Sequence, residues 1–556
     1  SLGYVRGQTV IKNKDYNNFV AKLDISQLAF DERLKIDFGA FGSSQQDEKI
    51  FDIQALSYST AAMNPTLPFH KTGNGWQRNG NASQIGPTEP LLFERNDEKN
   101  LTFNSHLQLS LQLTHNLHLA ALGSYSYTST ENGRFAPTWV WAQGLAYRGE
   151  RKTEDILGNI SLDWKYRWGI NKLSATILAE YQKKKIAAFW TQVKGLTNNY
   201  FGYDNLGAAS DRPYGGTGSS YADPSLVSFM GTLTYTLLDR YTLNLTTRAD
   251  GSSMVGKDHT WGIFPSISAT WDMKKESFLR NNKSISLLNL RTGYGRSGNL
   301  GGISSYLTLR QYIPVGLISY NGTQTVTMGT LRNSNPDLRW ETRSTFNIGT
   351  DLGLFNNRLL LTAEYYYSKT TDMLYEYDVP VPTFAFDKLL ANIGSMSNSG
   401  FELGIGVVPI SKKDMELNVN VNMAWQKNKL LSLNGKHNGR QMTASEITPI
   451  GGMNGAGFHG GYNDIIYQIV GQPLGVFYLP HCKGIVDNGH GHNKYDIADL
   501  NNDNVIDLSD HGDRYIAGQA TPKMTLGSNI SFRYKVFDIS LQMNGAFGHK
   551  IFNGTT

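Results

Sequence analysis

From Met415 to Gln426 apolar and polar residues trade places one for one: Met415, Leu417, Val419, Val421, Met423 and Trp425 alternate with Glu416, Asn418, Asn420, Asn422, Ala424 and Gln426. Successive side chains of a strand point to opposite faces, so this segment predicts a strand with one apolar face and one almost wholly polar face. The period recurs. Leu359, Leu361, Ala363, Tyr365 and Tyr367 share one face of the segment 358–367, against Leu360, Thr362, Glu364 and Tyr366. Tyr241, Leu243, Leu245 and Thr247 alternate with Thr242, Asn244, Thr246 and Arg248; Phe103, Leu107, Leu109, Leu111 and Leu113 alternate with Asn104, His106, Gln108, Ser110 and Gln112.

A half-buried sheet in a soluble sandwich shows the same alternation strand by strand. The spacing of the strands separates the two cases. The pattern predicts paired strands at 16–27 and 33–42, 102–113 and 117–128, 155–166 and 172–182, 226–235 and 241–249, 261–271 and 287–295, 342–353 and 358–367, 400–408 and 415–426, and 524–534 and 537–547. Links within a pair are in most cases short. Links between pairs run to tens of residues, as in 43–101, 183–225 and 427–523. Segregation of loop length by parity is the mark of an outer-membrane barrel, with tight turns on the periplasmic side and large loops outside. Loops that long inside a compact soluble domain would argue against the strands themselves.

With a partial strand at Ser1 to Arg6 the count is about 17. Single-chain bacterial barrels usually have an even number, and an open edge leaves backbone groups unpaired in hydrocarbon, so further strands are expected outside this sequence. Trp164, Trp168, Trp271, Tyr365, Tyr367 and Trp425 fall near strand ends. Rings with one polar edge suit the headgroup level there. The fold expected is all-β, a transmembrane antiparallel barrel with long extracellular loops.

Composition is consistent with this and removes alternatives. The 556 residues include 57 Gly, 29 Tyr, 25 Phe and 10 Trp, with 40% hydrophobic and 18% charged. A mean hydropathy of −0.37 and the lack of any apolar run near 18 residues exclude a helical membrane protein. The single cysteine, Cys482, rules out an internal disulfide framework. A net charge of +5 is small, and the one basic run, Lys183 to Lys185, reads as a solvated strand end, so no nucleic-acid partner is expected. The chain opens at Ser1 without a basic or apolar leader, so any export signal is expected to lie outside it.

Between the strands lie motifs that resemble the SusC/RagA family of TonB-dependent outer-membrane transporters. They are RADGSS at 248–253, WGIFPS at 261–266, LRTGYGRSGN at 290–299, NPDLRWE at 335–341, NIGSMSNSGFE at 392–402, and the segment 495–510. The likeness runs over essentially the whole chain. It implies a 22-stranded barrel, an N-terminal plug, a TonB box coupling import to the inner-membrane proton gradient, and a SusD-like surface lipoprotein acting as a lid. It implies oligosaccharide cargo, or peptide in some members. On this reading 1–556 is an incomplete barrel domain without TonB box or plug, and about two early and three final strands lie outside it.

Several smaller constellations remain. Asp499, Asn501, Asp503, Asp507 and Asp510 repeat the 1, 3, 5, 9, 12 spacing of a calcium loop, with Val505 placed to offer its carbonyl at position 7. Asn504 stands where a glycine is usual and Asp510 where a longer Glu is usual. The alternative is an acidic turn without metal; no cofactor beyond a structural Ca²⁺ is expected. His481, Cys482, His490 and His492 have soft-metal chemistry but no fixed geometry. GYGRSG at 293–298 matches a dinucleotide fingerprint, yet no helix pattern follows, so its glycines belong to the wall or the bend after it. Ser297 lacks a nucleophile-elbow context, and no catalytic constellation is recognisable.

Trp76, Trp139, Trp141 and Trp190, expected in the outer loops, are candidate sugar-stacking residues or loop-packing residues. Arg248, Glu364 and Glu402 are expected to face the lumen, the first two as candidate substrate contacts. The expected activity is energised import of a large nutrient. A passive channel, an outer-membrane barrel enzyme and a secreted all-β binding protein are the alternatives.

Overall fold

A computed structural model describes residues 1–9, 14–50, 88–141, 143–437, 440–454, 462–487, 489 and 493–553, with a few isolated positions between 56 and 76. Seventeen long strands pair in chain order: β1 (Leu2–Gln8), β2 (Asp15–Ala29), β3 (Leu34–Glu48), β4 (Arg95–Thr114), β5 (Leu117–Ala136), β6 (Leu145–Trp168), β7 (Asn171–Leu196), β8 (Ser225–Leu237), β9 (Tyr241–Ser252), β10 (Trp261–Asp272), β11 (Ile285–Asn299), β12 (Glu341–Leu354), β13 (Leu359–Asp378), β14 (Lys388–Lys412), β15 (Met415–Ser432), β16 (Met524–Tyr534) and β17 (Phe537–Phe547). Every pairing is antiparallel between neighbours. Two short strands, Ala209–Asp211 and Thr217–Ala222, fold back onto β7. The edges of this meander are β1 and β17; among the described residues no ladder joins them. No helix among the described residues is long and apolar enough to cross a membrane.

The outer face measures the membrane directly. On β6 the outward residues are Trp164, Leu162, Ile160, Gly158 and Ile156, and then Glu154, Lys152, Glu150 and Arg148. On β7 they are Ala175, Ile177, Ala179 and Tyr181, followed by Lys183 and Lys185. The switch occurs at one level, where Lys185 lies 3.8 Å from Glu154 and Lys183 lies 3.5 Å from Asp223. About nine to eleven residues of a tilted strand cross an apolar band of about 25 Å. The strands then continue upward as a charged-faced extension into water.

This extension corrects two sequence expectations. The lysine run 183–185 is not a strand end but the middle of β7, where hydrocarbon gives way to water. The upper connections are shorter than the alternation suggested, because the apolar period stops at the membrane surface while backbone pairing does not. β7 runs to Leu196 and β15 to Ser432, and the upper links at 137–144, 253–260 and 379–387 are brief. The lower turns are tight as expected, except 273–284, which holds a short helix, Ser277–Arg280.

Aromatic residues form two belts. Near the lower turns Trp164 stacks on Tyr166 and Tyr166 on Trp168, at 5.8 and 5.6 Å, and Tyr241 stacks on Trp271 at 6.2 Å. Higher up, Phe229 meets Trp261 and Phe401 meets Trp425, at 6.1 and 6.0 Å. Such rings suit the two headgroup regions.

The core lies above the membrane, where loops pack on strand tops. Tyr377, Leu389, Ala391, Leu430 and Leu433 are almost fully buried together, and Leu338 anchors a second cluster with Val255, Ile303 and Leu307. The NPDLRWE motif holds this second cluster. Asn335 donates to the Leu390 carbonyl, Arg339 pairs with Asp372, and the Asn392 side chain bonds both backbone groups of Arg339. Gly256 donates its N–H to the Leu338 carbonyl at 2.7 Å, and a Cβ there would sit 1.9 Å from the Pro336 oxygen.

Placing a charge on the lipid face should be costly and on the inner face nearly neutral. Ile160→Arg, at mid-band on β6, is expected to lose about 2–4 kcal/mol of stability in phospholipid vesicles, with Ser161→Lys near zero, as read by guanidinium unfolding. Equal effects at the two positions would reverse the assignment of faces.

Candidate functional site

The inner face of the sheet is polar along its length and satisfies itself sideways. Ser126 donates to Asn104, Thr176 to Asp163, and Asn244 to Ser268, each across one strand boundary. Threonines pair at 232–246 and 236–242.

Two arginines organise the charge. Arg248 on β9 donates to Asp250 at 2.8 Å on its own strand and reaches across β8 to Glu180 on β7 at 3.1 Å. Arg291 on β11 takes Asp351 with two nitrogens, at 2.9 and 3.2 Å, and extends over β12 to Glu364 on β13 at 3.3 Å. The register explains the reach: Arg291, Gly349, Glu364, Glu402, Ala424 and Thr525 stand side by side on consecutive strands. Gly349 is the gap. A Cβ there would lie 3.4 Å from both the Arg291 guanidinium and the Glu364 Cβ.

Glu402 sits directly opposite Glu364, and no hydrogen bond or ion pair to it is found among the described residues. Like charges directly opposite on neighbouring strands repel, so this carboxylate faces the lumen with its acceptors free. It lies between two hollows in the wall. One of about 530 Å³ is bounded by Gly293, Gly295, Arg343, Asn347 and Tyr366. The other, of about 710 Å³, is bounded by Gly404, Asn422, Ala424, Thr525 and Gly527. The glycines of GYGRSG thus belong to the barrel wall, where they widen the lumen. Arg248 and Glu364 both line the inner face as expected, in two separate clusters.

The tryptophans do not join them. Trp139 and Trp141 lie on the 137–144 connection, where Trp139 meets Phe93 edge-on at 5.8 Å and the Trp141 indole donates to Glu94. Both residues remain 40–49% exposed. Trp190 is not in a loop: it lies on β7, with its ring against Gly218 of the returning strand. Trp76 pairs through its backbone with Lys71, and its side chain falls outside the described residues.

A family model described as TonB dependent receptor-like, beta-barrel, matches residues 37–544. The chain belongs to this family. The TonB-dependent receptor P3 of Formosa agariphila is 27% identical over all of this chain and 56% of its own length. The TonB-dependent receptor SusC of Bacteroides thetaiotaomicron is 26% identical over 99% of this chain and 56% of its own. Among solved structures, that of the RagAB peptide transporter superposes with a TM-score of 0.74 at 18% identity, covering 96% of this chain and 58% of that one. The SusC/RagA resemblance therefore holds, and this is an outer-membrane β-barrel. The chain spans about half the length of the curated relatives it matches.

In this receptor barrel the acidic segment 499–513 belongs to the upper connection between β15 and β16. Asp499 accepts the backbone N–H groups of Asp503 and Asn504, and Asp503 accepts that of Val505. Asn504 takes φ +65°, the left-handed conformation that the sharp turn of such a loop needs, so asparagine replaces the expected glycine without breaking the turn. Asp510 is directed elsewhere. It accepts from the Tyr467 hydroxyl at 2.9 Å, and Arg514 donates to that same hydroxyl at 2.6 Å. Burial and this bond to Asp510 push the Tyr467 phenol up to about 12. Among the described residues no three His, Cys, Asp or Glu side chains converge closely enough to share an ion.

The residue that the spacing missed is Asp513. It is fully buried and accepts the N–H groups of Leu500 at 2.6 Å and Asp507 at 2.9 Å, closing the loop on itself. Only its position three beyond Asp510 hints at this. His481 packs edge-on against Tyr515, Cys482 is exposed, and His490 and His492 lie outside the described residues.

Two outcomes follow from these contacts. Arg291→Met should destabilise the barrel by about 1–2 kcal/mol, and adding Glu364→Gln should recover part of it; denaturant titration of both variants checks this. The backbone donors to Asp513 hold its carboxyl below the ordinary carboxylate range. A lowered folded value stabilises the loop above the ordinary pKa and is lost as pH falls through the lowered one. Hydrogen exchange of 499–513 should therefore rise sharply only at acid pH, whereas Asp513→Asn should exchange fast even at neutrality.

Proposed function

We propose that the protein containing this barrel imports a large polar nutrient across the outer membrane, powered through TonB and gated by a plug in the lumen. The observation that carries the reading is a polar, largely self-satisfied inner wall in a barrel of this receptor family. Oligosaccharide is the favoured cargo, with peptide the alternative. Free acceptors at Glu402, beside Arg343 and Tyr366, suit a ligand rich in hydroxyl or amide donors. Catalysis is not part of this proposal: charged groups of the wall pair with one another in structural clusters, and the matched family is one of receptors.

A SusD-like surface lipoprotein is the proposed partner. The reading is supported by the hairpin Tyr312–Tyr320 and Thr323–Thr330 in the upper connection between β11 and β12. It exposes Tyr312, Leu317, Ile318, Tyr320, Val326 and Met328 above the membrane, each 47–65% accessible. An apolar ribbon of this kind needs a cover.

Calcium in the 499–510 loop is proposed from ligand spacing and turn geometry. It requires Asp510 to leave Tyr467.

Growth on a panel of oligosaccharides or peptides as sole carbon source should require both the full-length protein and TonB. In liposomes the full-length protein should stay closed to small sugars; rapid swelling would identify a passive channel. Calorimetry should detect Ca²⁺ binding at millimolar concentration, tighter in Tyr467→Phe, which frees Asp510. Absence of heat in both proteins removes the metal from the reading.

A further inference from the structure

The lipid-facing surface is not uniformly rough. Ile177, Gly231, Thr247 and Pro265 stand side by side on β7 to β10, and three of these four side chains are small or compact. The row below is bulky: Leu233, Leu245, Ile267 and Tyr294. Above it stand Phe229 and Ile263, on either side of Ala249. The result is an apolar groove of about 570 Å³ on the outer wall, within the membrane band. At its floor a Cβ added to Gly231 would meet nothing within 4 Å.

The groove ends at a break in the wall. The β10–β11 ladder runs from Asp272 opposite Asn289 up to Ser266 opposite Gly295 and stops there. The next residue, Pro265, has no N–H, so β10 leaves no donor unpaired at that step. Beyond it β10 stays with β9 and β11 stays with β12, and the wedge between them is filled from inside by Phe264, whose ring meets Trp340 at 5.4 Å. Opposite Pro265, one step past the last pair, is Arg296. It shares the outward face with Tyr294, whose hydroxyl takes one of its donors, is exposed, and has no carboxylate partner among the described ion pairs.

We propose that this groove is a binding site for a phospholipid of net negative charge, with one acyl chain along the Gly231–Pro265 trough and the phosphate on Arg296. The chemistry commits the occupant. A trough facing hydrocarbon takes a hydrocarbon chain, because only a flexible chain restores the contacts that a void at Gly231 forfeits. A guanidinium with no carboxylate to neutralise it, at the level where the apolar face ends, is complementary to the phosphate of an anionic lipid. The lipid would also cover the wall where backbone pairing is interrupted.

The test uses the full-length protein in detergent with phosphatidylglycerol or phosphatidylcholine as the probe, read by native mass spectrometry after partial delipidation. Wild type should retain one phosphatidylglycerol in preference to phosphatidylcholine. Gly231→Leu, which fills the trough into open space, and Arg296→Gln should each lower that occupancy about fivefold. Circular dichroism should show that both variants keep the barrel. Equal retention of the two lipids, or occupancy unchanged in Gly231→Leu, overturns the site; loss in Arg296→Gln alone reduces it to general headgroup attraction.

Discussion

Hydrocarbon supplies no hydrogen bonds, and that single constraint shapes everything in this chain between the two aromatic belts. Each backbone N–H and C=O must find a neighbour within the protein, so the strands can only be a continuous antiparallel meander. Side chains then divide by parity. Leu243 and Leu245 meet lipid while Thr242, Asn244 and Thr246 meet water, on alternate residues of one strand. Between adjacent described strands, the β10–β11 ladder stops beside Pro265, a residue that has no donor to leave unsatisfied.

Above the membrane the constraint changes, and so does the architecture. Water can pair with backbone, and the outward faces of β6 and β7 become charged. Loops fold onto the strand tops and build the only extensive buried core among the described residues, around Leu338, Leu389 and Leu430. The motifs that carry the family resemblance concentrate there. Asn335 and Asn392 spend hydrogen bonds on backbone groups of neighbouring segments, and Arg339 bonds the Asn392 carbonyl and pairs with Asp372, which marks all three as fasteners of the outer plate.

The lumen follows a third rule, economy of side chain. Glycine or a small residue recurs on inward positions, at Gly293, Gly295, Gly349, Gly404 and Gly527, and the charges present are drawn flat against the wall by their neighbours. A passage for a bulky solute has to be wide and wet without being sticky. Arg291 lying across Gly349 onto Glu364 shows how a long charged side chain is stowed along the wall. Glu402, which has no such partner among the described residues, is the exception.

The sequence by itself determined the strands, their order and the identity of their two faces, because a period of two is a local property that each segment carries alone. It also marked the tight lower turns and the family. What it did not show was where pairing outlasts the apolar period: the Lys183–Lys185 run and Trp190 read as strand end and loop, yet both lie within β7. Nor did it show that Arg291 would reach Glu364, that Asp510 would turn to Tyr467, or that Asp513 would close the acidic loop. Those are meetings between residues 13 to 73 positions apart, set by register across strands and by loops folding back, and only the tertiary structure brings such partners within hydrogen-bonding distance.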